Sequence, residues 1–161
     1  MEKILKTQRK IRFQDCDPFN HLNNSKYLDY FINAREDQIA ESYGLDVFKF
    51  LKSSGVSWVV LSNQISYIKP AFTMETVVIE SQLIQYTDKI LLVELKMWNE
   101  DETELKALLW TKFIHFNIQT QKIANHAPDL MELFESVVMP LQESTFDERS
   151  LAILKKTRNP A

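Results

Sequence analysis

Alternating apolar and polar positions open the chain. Over residues 4–14, Ile11 and Phe13 fall on one face of an extended stretch, which is the period of a strand. The period then lengthens. Tyr27, Leu28, Phe31, Ala34, Arg35 and Ile39 recur three and four residues apart, predicting a helix from about 25 to 43. Asn23 or Asn24 offers a side-chain oxygen suited to its N-cap, and Gly44 offers the left-handed residue that ends many helices. A short second helix is expected over 46–52. After Gly55 the period shortens again. The stretches 56–68, 76–86, 90–98 and 104–117 are rich in Val, Ile, Trp, Tyr and Phe, with turn-forming segments such as Lys69-Pro70 and Asn99-Glu100-Asp101-Glu102 between them. The acidic run 100–104 reads as a solvated hairpin turn, and Trp58 and Trp110 as sheet residues. A brief strand is expected at 122–124, then one or two surface helices between 129 and 156.

The order is therefore strand, long helix, and four strands in series with no helix between them. Strands joined that way form hairpins and an antiparallel sheet, not a doubly wound fold. The single long helix has only the sheet against which to bury its apolar stripe. The expected class is α+β: a long antiparallel sheet wrapped around one central helix, with a helical tail. At 161 residues and 45% hydrophobic content, the chain is the size of one domain with material for a core. We assign one domain over 1–161, its core at about 5–125 and a C-terminal helical extension at about 126–161.

Composition narrows the partners. A net charge of −3 with no long basic run argues against a nucleic-acid protein, while a few local Lys or Arg residues still suffice for an anionic small molecule. The N-terminus Met-Glu-Lys-Ile-Leu-Lys-Thr lacks a signal-peptide core, and no apolar stretch approaches the ~20 residues that span a bilayer. The expectation is a soluble, cytoplasmic protein without a membrane partner. The lone Cys16 excludes an intramolecular disulfide. With only 2 glycines there is no G-x-G-x-x-G and no P-loop, so any nucleotide-like group must be held without a glycine cradle.

The densest polar cluster is Arg12-Phe13-Gln14-Asp15-Cys16-Asp17-Pro18-Phe19-Asn20-His21-Leu22-Asn23-Asn24-Ser25-Lys26-Tyr27-Leu28. It lies between a strand end and a helix N-terminus, where backbone N–H groups lack intrahelical partners and the helix dipole adds positive charge. Such a place suits an oxygen that gains negative charge during reaction. A carboxylate beside it can serve as general base or nucleophile toward a carbonyl carbon. The local sequence alone makes Asp17 equally a turn residue, since Asp-Pro initiates turns, and Asp15 reads as structural, paired with Arg12 or a loop N–H. A metal at His21 is disfavoured: His115 and His126 lie far along the chain, with no His-x-x-x-His or Cys pair. A Cys16–His21 nucleophile pair is also disfavoured. The flanking acids oppose a thiolate, and on an extended segment Cys16 points away from Asp15 and Asp17.

The cluster resembles the signature of the 4-hydroxybenzoyl-CoA thioesterase-like hotdog family, roughly Asp-x-Asp-x-x-Gly-His-x-Asn-Asn-x-x-Tyr. Here it stands as Asp15-Cys16-Asp17-Pro18-Phe19-Asn20-His21-Leu22-Asn23-Asn24-Ser25-Lys26-Tyr27. Tyr67-x-x-Pro70-Ala71 resembles the family's turn after its second strand, and the likeness spans most of 5–120. It implies a hotdog fold and a hydrolase of acyl-CoA thioesters, with acyl-CoA as the small-molecule partner, no metal, and no cofactor apart from the CoA of the substrate. It also implies a homodimer or homotetramer with active sites at the subunit interface. Asp17 matches the catalytic carboxylate, and the backbone N–H near Asn24 the group that polarises the thioester carbonyl. His21 and Asn23 match polar residues that position water or shape the loop. Tyr27 matches a helix residue at the pocket wall. From the residues themselves, Tyr27 and Phe31 read equally as core and as substrate-pocket lining, and Phe19 is assigned to substrate binding. Lys69, Lys89 and Lys112 are candidates for the CoA phosphates by charge and by lying near strand ends or turns, the first two favoured, and Lys89 falls where related enzymes carry basic residues. The sequence departs from the pattern at Asn20, where the family has glycine, and at Met74-Glu75, where it has Gly-Asp. Asn tolerates positive φ better than most residues, so the first turn is expected to survive. The rivals are a hotdog domain that senses or carries acyl-CoA without cleaving it, and a hydratase of the same fold, for which the required Asp/His arrangement is missing.

Overall fold

The computed structural model describes residues 1–158; the last three residues of the domain assigned from sequence lie outside them. Strand β1 (Ile4–Lys10) is followed by two short 3₁₀ turns, helix α1 (Tyr27–Tyr43) and helix α2 (Val47–Ser54). Strands β2 (Val56–Tyr67), β3 (Thr76–Tyr86), β4 (Ile90–Asn99) and β5 (Leu105–Asn117) come next. A two-residue β6 (Lys122–Ile123), helix α3 (Pro128–Val137) and helix α4 (Phe146–Arg158) complete the chain. The sheet order is β1-β3-β4-β5-β2, with β6 paired to β5 and every pairing antiparallel. The hairpin reasoning accounts for β3-β4-β5. The strand before the helix then adds to one side, and β2 to the other.

Helix α1 lies against this sheet on the face formed by Tyr27, Phe31, Ala34, Arg35 and Gln38. Phe31 is fully buried among Ile79, Leu95, Met97 and Leu109 of the strands, a burial that contributes roughly 1.5–3 kcal/mol. The polar members of the face find partners across it: Gln38 Nε2 donates to Ile79 O at 2.9 Å and Arg35 Nη1 to Ser81 Oγ at 3.0 Å. Gly44 takes φ +67° and ends the helix as expected, and Gly55 does the same for α2.

The tail is two helices, but they are not confined to the surface. In α3, Leu130, Phe134 and Val137 recur at helical spacing and join the main core beside α1. Helix α4 covers the opposite face of the sheet, where Phe146 and Ile153 pack with Ile84, Leu105, Leu108 and Trp110. A buried carboxylate fixes it there. Glu94 accepts from Arg149 Nε at 2.9 Å and Nη2 at 2.8 Å, and from Trp110 Nε1 at 2.8 Å. Burial raises the Glu94 pKa, but the Arg149 and Trp110 hydrogen bonds and Lys96 outweigh that and hold it below the ordinary value.

At the β3–β4 turn end of the sheet, His115 and His126 lie together with ring centroids 4.7 Å apart and planes tilted by 37°. His126 Nε2 accepts from Trp58 Nε1 at 3.0 Å, so its proton sits on Nδ1 and faces Thr87 O. Burial pushes both imidazole pKa values down. The unfolded chain therefore binds protons below its ordinary His pKa of ~6.5 while the folded chain does not. Stability should be flat above about pH 7 and fall as pH drops through 6.5, by at most about 2.7 kcal/mol per pH unit for two groups. Thermal unfolding from pH 8 to 5 checks this: His115→Phe should flatten the slope, and an unchanged slope would assign it to other groups.

Candidate active site

The polar cluster folds as a small hairpin clamped between β1 and the β2–β3 connection. Ile11 is the last residue to pair in strand fashion, donating to Glu75 O at 2.9 Å and accepting from Met74 N at 2.8 Å. The chain then turns through a 3₁₀ helix, Phe13–Asp15, so residues 12–14 leave the strand expected from alternation. Cys16 bridges Leu22, and Asp17 N donates to His21 O at 2.8 Å. Pro18, Phe19 and Asn20 form the loop, closed by Asn20 N to Asp17 O at 3.1 Å, with Asn20 at φ +61°. A turn followed by one left-handed residue is a common three-residue hairpin. Asn20 thus takes the conformation for which glycine is usual. At the second departure, Met74 takes φ +64°, and the adjoining backbone still seats the hairpin: Leu22 N donates to Ala71 O at 2.7 Å and Thr73 N to Asn20 O at 2.9 Å.

Asp17 is half-buried in this hairpin. Its Oδ1 accepts from Phe19 N at 2.9 Å and His21 N at 3.1 Å, which locks the side chain against its own turn. Its Oδ2 meets no donor among the described residues. The His21 ring lies edge-on to Phe72, centroids 5.2 Å apart, and 6.5 Å from Phe19. Its nitrogens make no hydrogen bond among the described residues. Asp15 is occupied elsewhere: Oδ2 accepts from the Tyr30 hydroxyl at 2.7 Å, and that hydroxyl accepts from Arg12 N at 2.9 Å. Of the two partners expected from sequence, the Arg12 side chain or a loop N–H, Asp15 reaches the backbone N–H of Arg12, and only through a tyrosine of α1. Burial first, and Asp15 with it, push the Tyr30 phenol up to about 12, against the Arg12 N–H. The Cys16 thiol is turned to Arg12 O at 3.3 Å.

The helix entrance follows directly. Asn23 Oδ1 accepts from Ser25 N at 3.0 Å and Ser25 Oγ at 2.9 Å, so of the two candidate caps Asn23 is the one used. It caps the 3₁₀ turn Asn24–Lys26 that leads into α1. The Asn24 carbonyl accepts from the Tyr67 hydroxyl at 3.1 Å, while its backbone N–H has no acceptor among the described residues. Tyr27 is buried, its hydroxyl oxygen accepting from Ala71 N at 3.3 Å and its ring edge-on to Tyr67 at 5.1 Å. Burial raises its pKa.

The hairpin, Asn24, Tyr27 and Lys69 thus gather at one end of the sheet. Phe19 projects from the turn, 78% exposed, whereas Phe31 lies sealed in the core. Lys69 pairs with Glu104. Lys89 sits in the β3–β4 turn, 3.8 Å from Asp88, at the other end of an 11-residue strand, roughly 35 Å away. Within one chain it does not meet the hairpin. Lys112 lies in mid-β5, opposite Leu92 of β4.

One supporting group escaped the sequence reading. Lys106 is buried and its ammonium reaches Glu104 at 2.9 Å, Glu75 at 3.1 Å and Pro70 O at 3.2 Å. Glu75 in turn accepts from Phe72 N at 2.7 Å, and the Phe72 ring lies under the same ammonium at 5.3 Å. This network backs the β2–β3 connection, whose Phe72 bridges to His21. Lys69 and then Lys106 hold Glu104 down to about 2.

Comparison with known proteins places the chain. A family model described as the thioesterase-like superfamily matches residues 11–134. The chain is 29% identical over 134 residues to the long-chain acyl-CoA thioesterase FadM of Escherichia coli (strain K12), covering 83% of this chain and 99% of the relative. Among solved structures it is similar to the YbaW probable thioesterase from Escherichia coli, with TM-score 0.71, 29% identity, and 84% and 99% of the two chains covered. It is also similar to a DHNA-CoA thioesterase from Staphylococcus aureus, with TM-score 0.77, 23% identity, and 83% and 90% covered; that likeness shows the shared hotdog fold.

Proposed function

The chain belongs to the thioesterase-like superfamily, and from that premise we propose that it hydrolyses an acyl-CoA with Asp17 at the reacting carbon. That it is a hydrolase of thioesters follows from the family and its relatives. Acyl-CoA as the substrate is supported by the E. coli relative, which carries that activity in its name. The observation that carries the role of Asp17 is the unequal state of its two oxygens: Oδ1 is held by two backbone N–H groups and Oδ2 meets no donor among the described residues.

In this reading the thioester carbonyl oxygen sits against the Asn24 N–H at the entrance to α1. A water oxygen adds to the carbonyl carbon while its proton passes to Asp17 Oδ2. Collapse of the adduct breaks the C–S bond, and the departing CoA sulfur takes that proton back. In the other route Oδ2 itself adds and the C–S bond breaks, releasing CoA thiolate; water then adds to one carbonyl carbon of the mixed anhydride, giving the free acid and Asp17, and its proton goes to the thiolate. Where water adds at the Asp17 carboxyl carbon, ¹⁸O appears in Asp17 after one turnover in labelled water, which marks this route. The unpartnered His21 ring is the group placed to hold the water. Asn23 keeps the helix entrance in shape. Phe19 and Tyr27 border the acyl or pantetheine portion, and Lys69 is the nearer cation for a phosphate. No step draws on a metal or cofactor, and CoA enters only with the substrate. Release of one free thiol and one acid per acyl-CoA tests the reading.

We propose further that the working unit is a homodimer joined through β2. Its outer edge is unpaired among the described residues, and Val59, Val60 and Leu61 on it are 48%, 43% and 53% exposed. A long apolar edge strand is a template for pairing with another strand, and a second copy offers the same edge. No helix of the described residues is long and apolar enough to cross a membrane. Val60→Lys should shift the mass in solution from dimer to monomer and lower turnover at least tenfold. A monomeric wild type, or a variant that remains dimeric, would refute this pairing.

A further inference from the structure

The chain leaving β2 carries Tyr67, Pro70 and Ala71. Two of these act through their backbone: Pro70 O accepts from Lys106 Nζ at 3.2 Å, and Ala71 O accepts from Leu22 N at 2.7 Å. Tyr67 acts through its side chain. It is the last residue of β2 and stands 46% exposed. Its ring lies edge-on to the buried Tyr27, and its hydroxyl donates to the Asn24 carbonyl at 3.1 Å. Water competes for an exposed hydroxyl, so one such bond adds little to the stability of the fold. Its place matters more than its strength, because it ends on the residue whose N–H opens α1.

The direction of the Asn24 N–H follows from the two peptide planes that flank Asn24. In the first, Asn23 O accepts from Lys26 N at 2.8 Å. In the second, Ser25 N donates to Asn23 Oδ1 at 3.0 Å, and Asn24 O accepts from Tyr67. The bonds from Lys26 and Ser25 are internal to residues 23–26, so they would move with the turn as one piece. Among the described residues, the Tyr67 bond is the only hydrogen bond that ties residues 24–26 to the sheet. A backbone donor stabilises an oxyanion only when it is already aimed at the place where the charge develops, and a misplacement of about 1 Å can cost about 10² in rate. We propose that Tyr67 is a positioning residue for thioester cleavage: its hydroxyl fixes the Asn24 carbonyl to the end of β2 and so keeps the Asn24 N–H aimed at the thioester carbonyl oxygen. The proposal rests on the reading that this N–H is the oxyanion donor. The hydroxyl hydrogen of Tyr67 is committed to Asn24, so Tyr67 supplies no proton to the reaction.

Tyr67→Phe tests this, because it keeps the ring and its contact with Tyr27 and removes only the oxygen. Thiol release by the full-length protein is followed with whichever acyl-CoA it turns over fastest in a series from butanoyl- to palmitoyl-CoA. The expected result is a kcat lower by roughly tenfold, the worth of about one hydrogen bond, with KM within about twofold of wild type and the melting temperature kept. Lost aim is felt in the transition state and not in the bound substrate, hence the split. Because Tyr67 acts through the Asn24 N–H, adding Tyr67→Phe to Asn24→Pro should cause no further loss. An unchanged kcat in Tyr67→Phe would overturn the proposal. So would a raised KM at constant kcat, which makes Tyr67 a wall of the pocket, or losses that multiply in the double variant, which place its action elsewhere. Undiminished kcat in Asn24→Pro, or no thiol release across the series, would overturn it together with the reading it rests on. Loss in Asn24→Pro beside wild-type turnover in Tyr67→Phe would overturn the positioning role alone.

Discussion

Asp17→Asn should lower kcat by about 10²–10⁴, the range of a lost general base, while the protein unfolds within about 1 kcal/mol of wild type. The two effects separate because the two oxygens of Asp17 do different things. An asparagine Oδ1 still accepts from Phe19 N and His21 N, so the turn around Pro18 keeps its internal bonds. What disappears is the charge on the second oxygen, and an amide nitrogen there can neither take a proton nor add to a carbonyl. Steady-state turnover and a melting curve on the same preparation check both halves. Asp15→Asn is the contrasting substitution. Its partner is the Tyr30 hydroxyl, so its effect falls on how α1 seats against the loop and not on the chemistry.

The second large effect concerns a single backbone hydrogen. Asn24→Pro should lower kcat by about 10²–10³, the value of one oxyanion donor and equal to roughly 2.7–4 kcal/mol of transition-state stabilisation. The position is suited to the substitution on every structural count. The Asn24 N–H makes no bond within the described residues, so proline removes nothing that the fold uses. Asn23, at φ −60° and ψ 135°, already has the extended conformation demanded of a residue before proline. Proline is also favoured at the first residue of a helical turn. The Asn23 cap on Ser25 is untouched. A fully folded Asn24→Pro protein with undiminished kcat would remove the backbone donor from the mechanism. Asn24→Ala, which keeps the N–H, should retain most of the activity.

Much of this site could be read along the chain because its geometry is local. The Asp17-Pro18 turn, the left-handed Asn20, the asparagine cap and the helix that follows are set by residues within a dozen positions of one another. The strand periods of 56–117 are likewise local, and so the β3–β4 and β4–β5 hairpins were legible, whereas β2 passes over its neighbour in sequence to pair with β5. What depends on distant pairing was not. Lys106 stands in an apolar stretch of β5, and the register shift between Met97 and Trp98 opposite it is invisible until β4 and β5 are laid side by side. Lys89 is eligible for a phosphate by charge and by its turn, and within one chain strand length carries it to the other end of the sheet from the hairpin. The apolar positions of α3 and α4 show amphipathic helices. They do not show that one enters the main core while the other covers the reverse face through Arg149 and Glu94.

The hydrolysis of acyl-CoA through this site is tested most directly by thiol release from a panel of acyl-CoAs of graded chain length and aromatic character, run in parallel with equilibrium binding. The expected result is turnover of at least one member, with one thiol released per acid formed and loss of that release in Asp17→Asn. Saturable binding across the panel with no thiol released from any member would contradict it, and would make the domain a sensor or carrier of acyl-CoA.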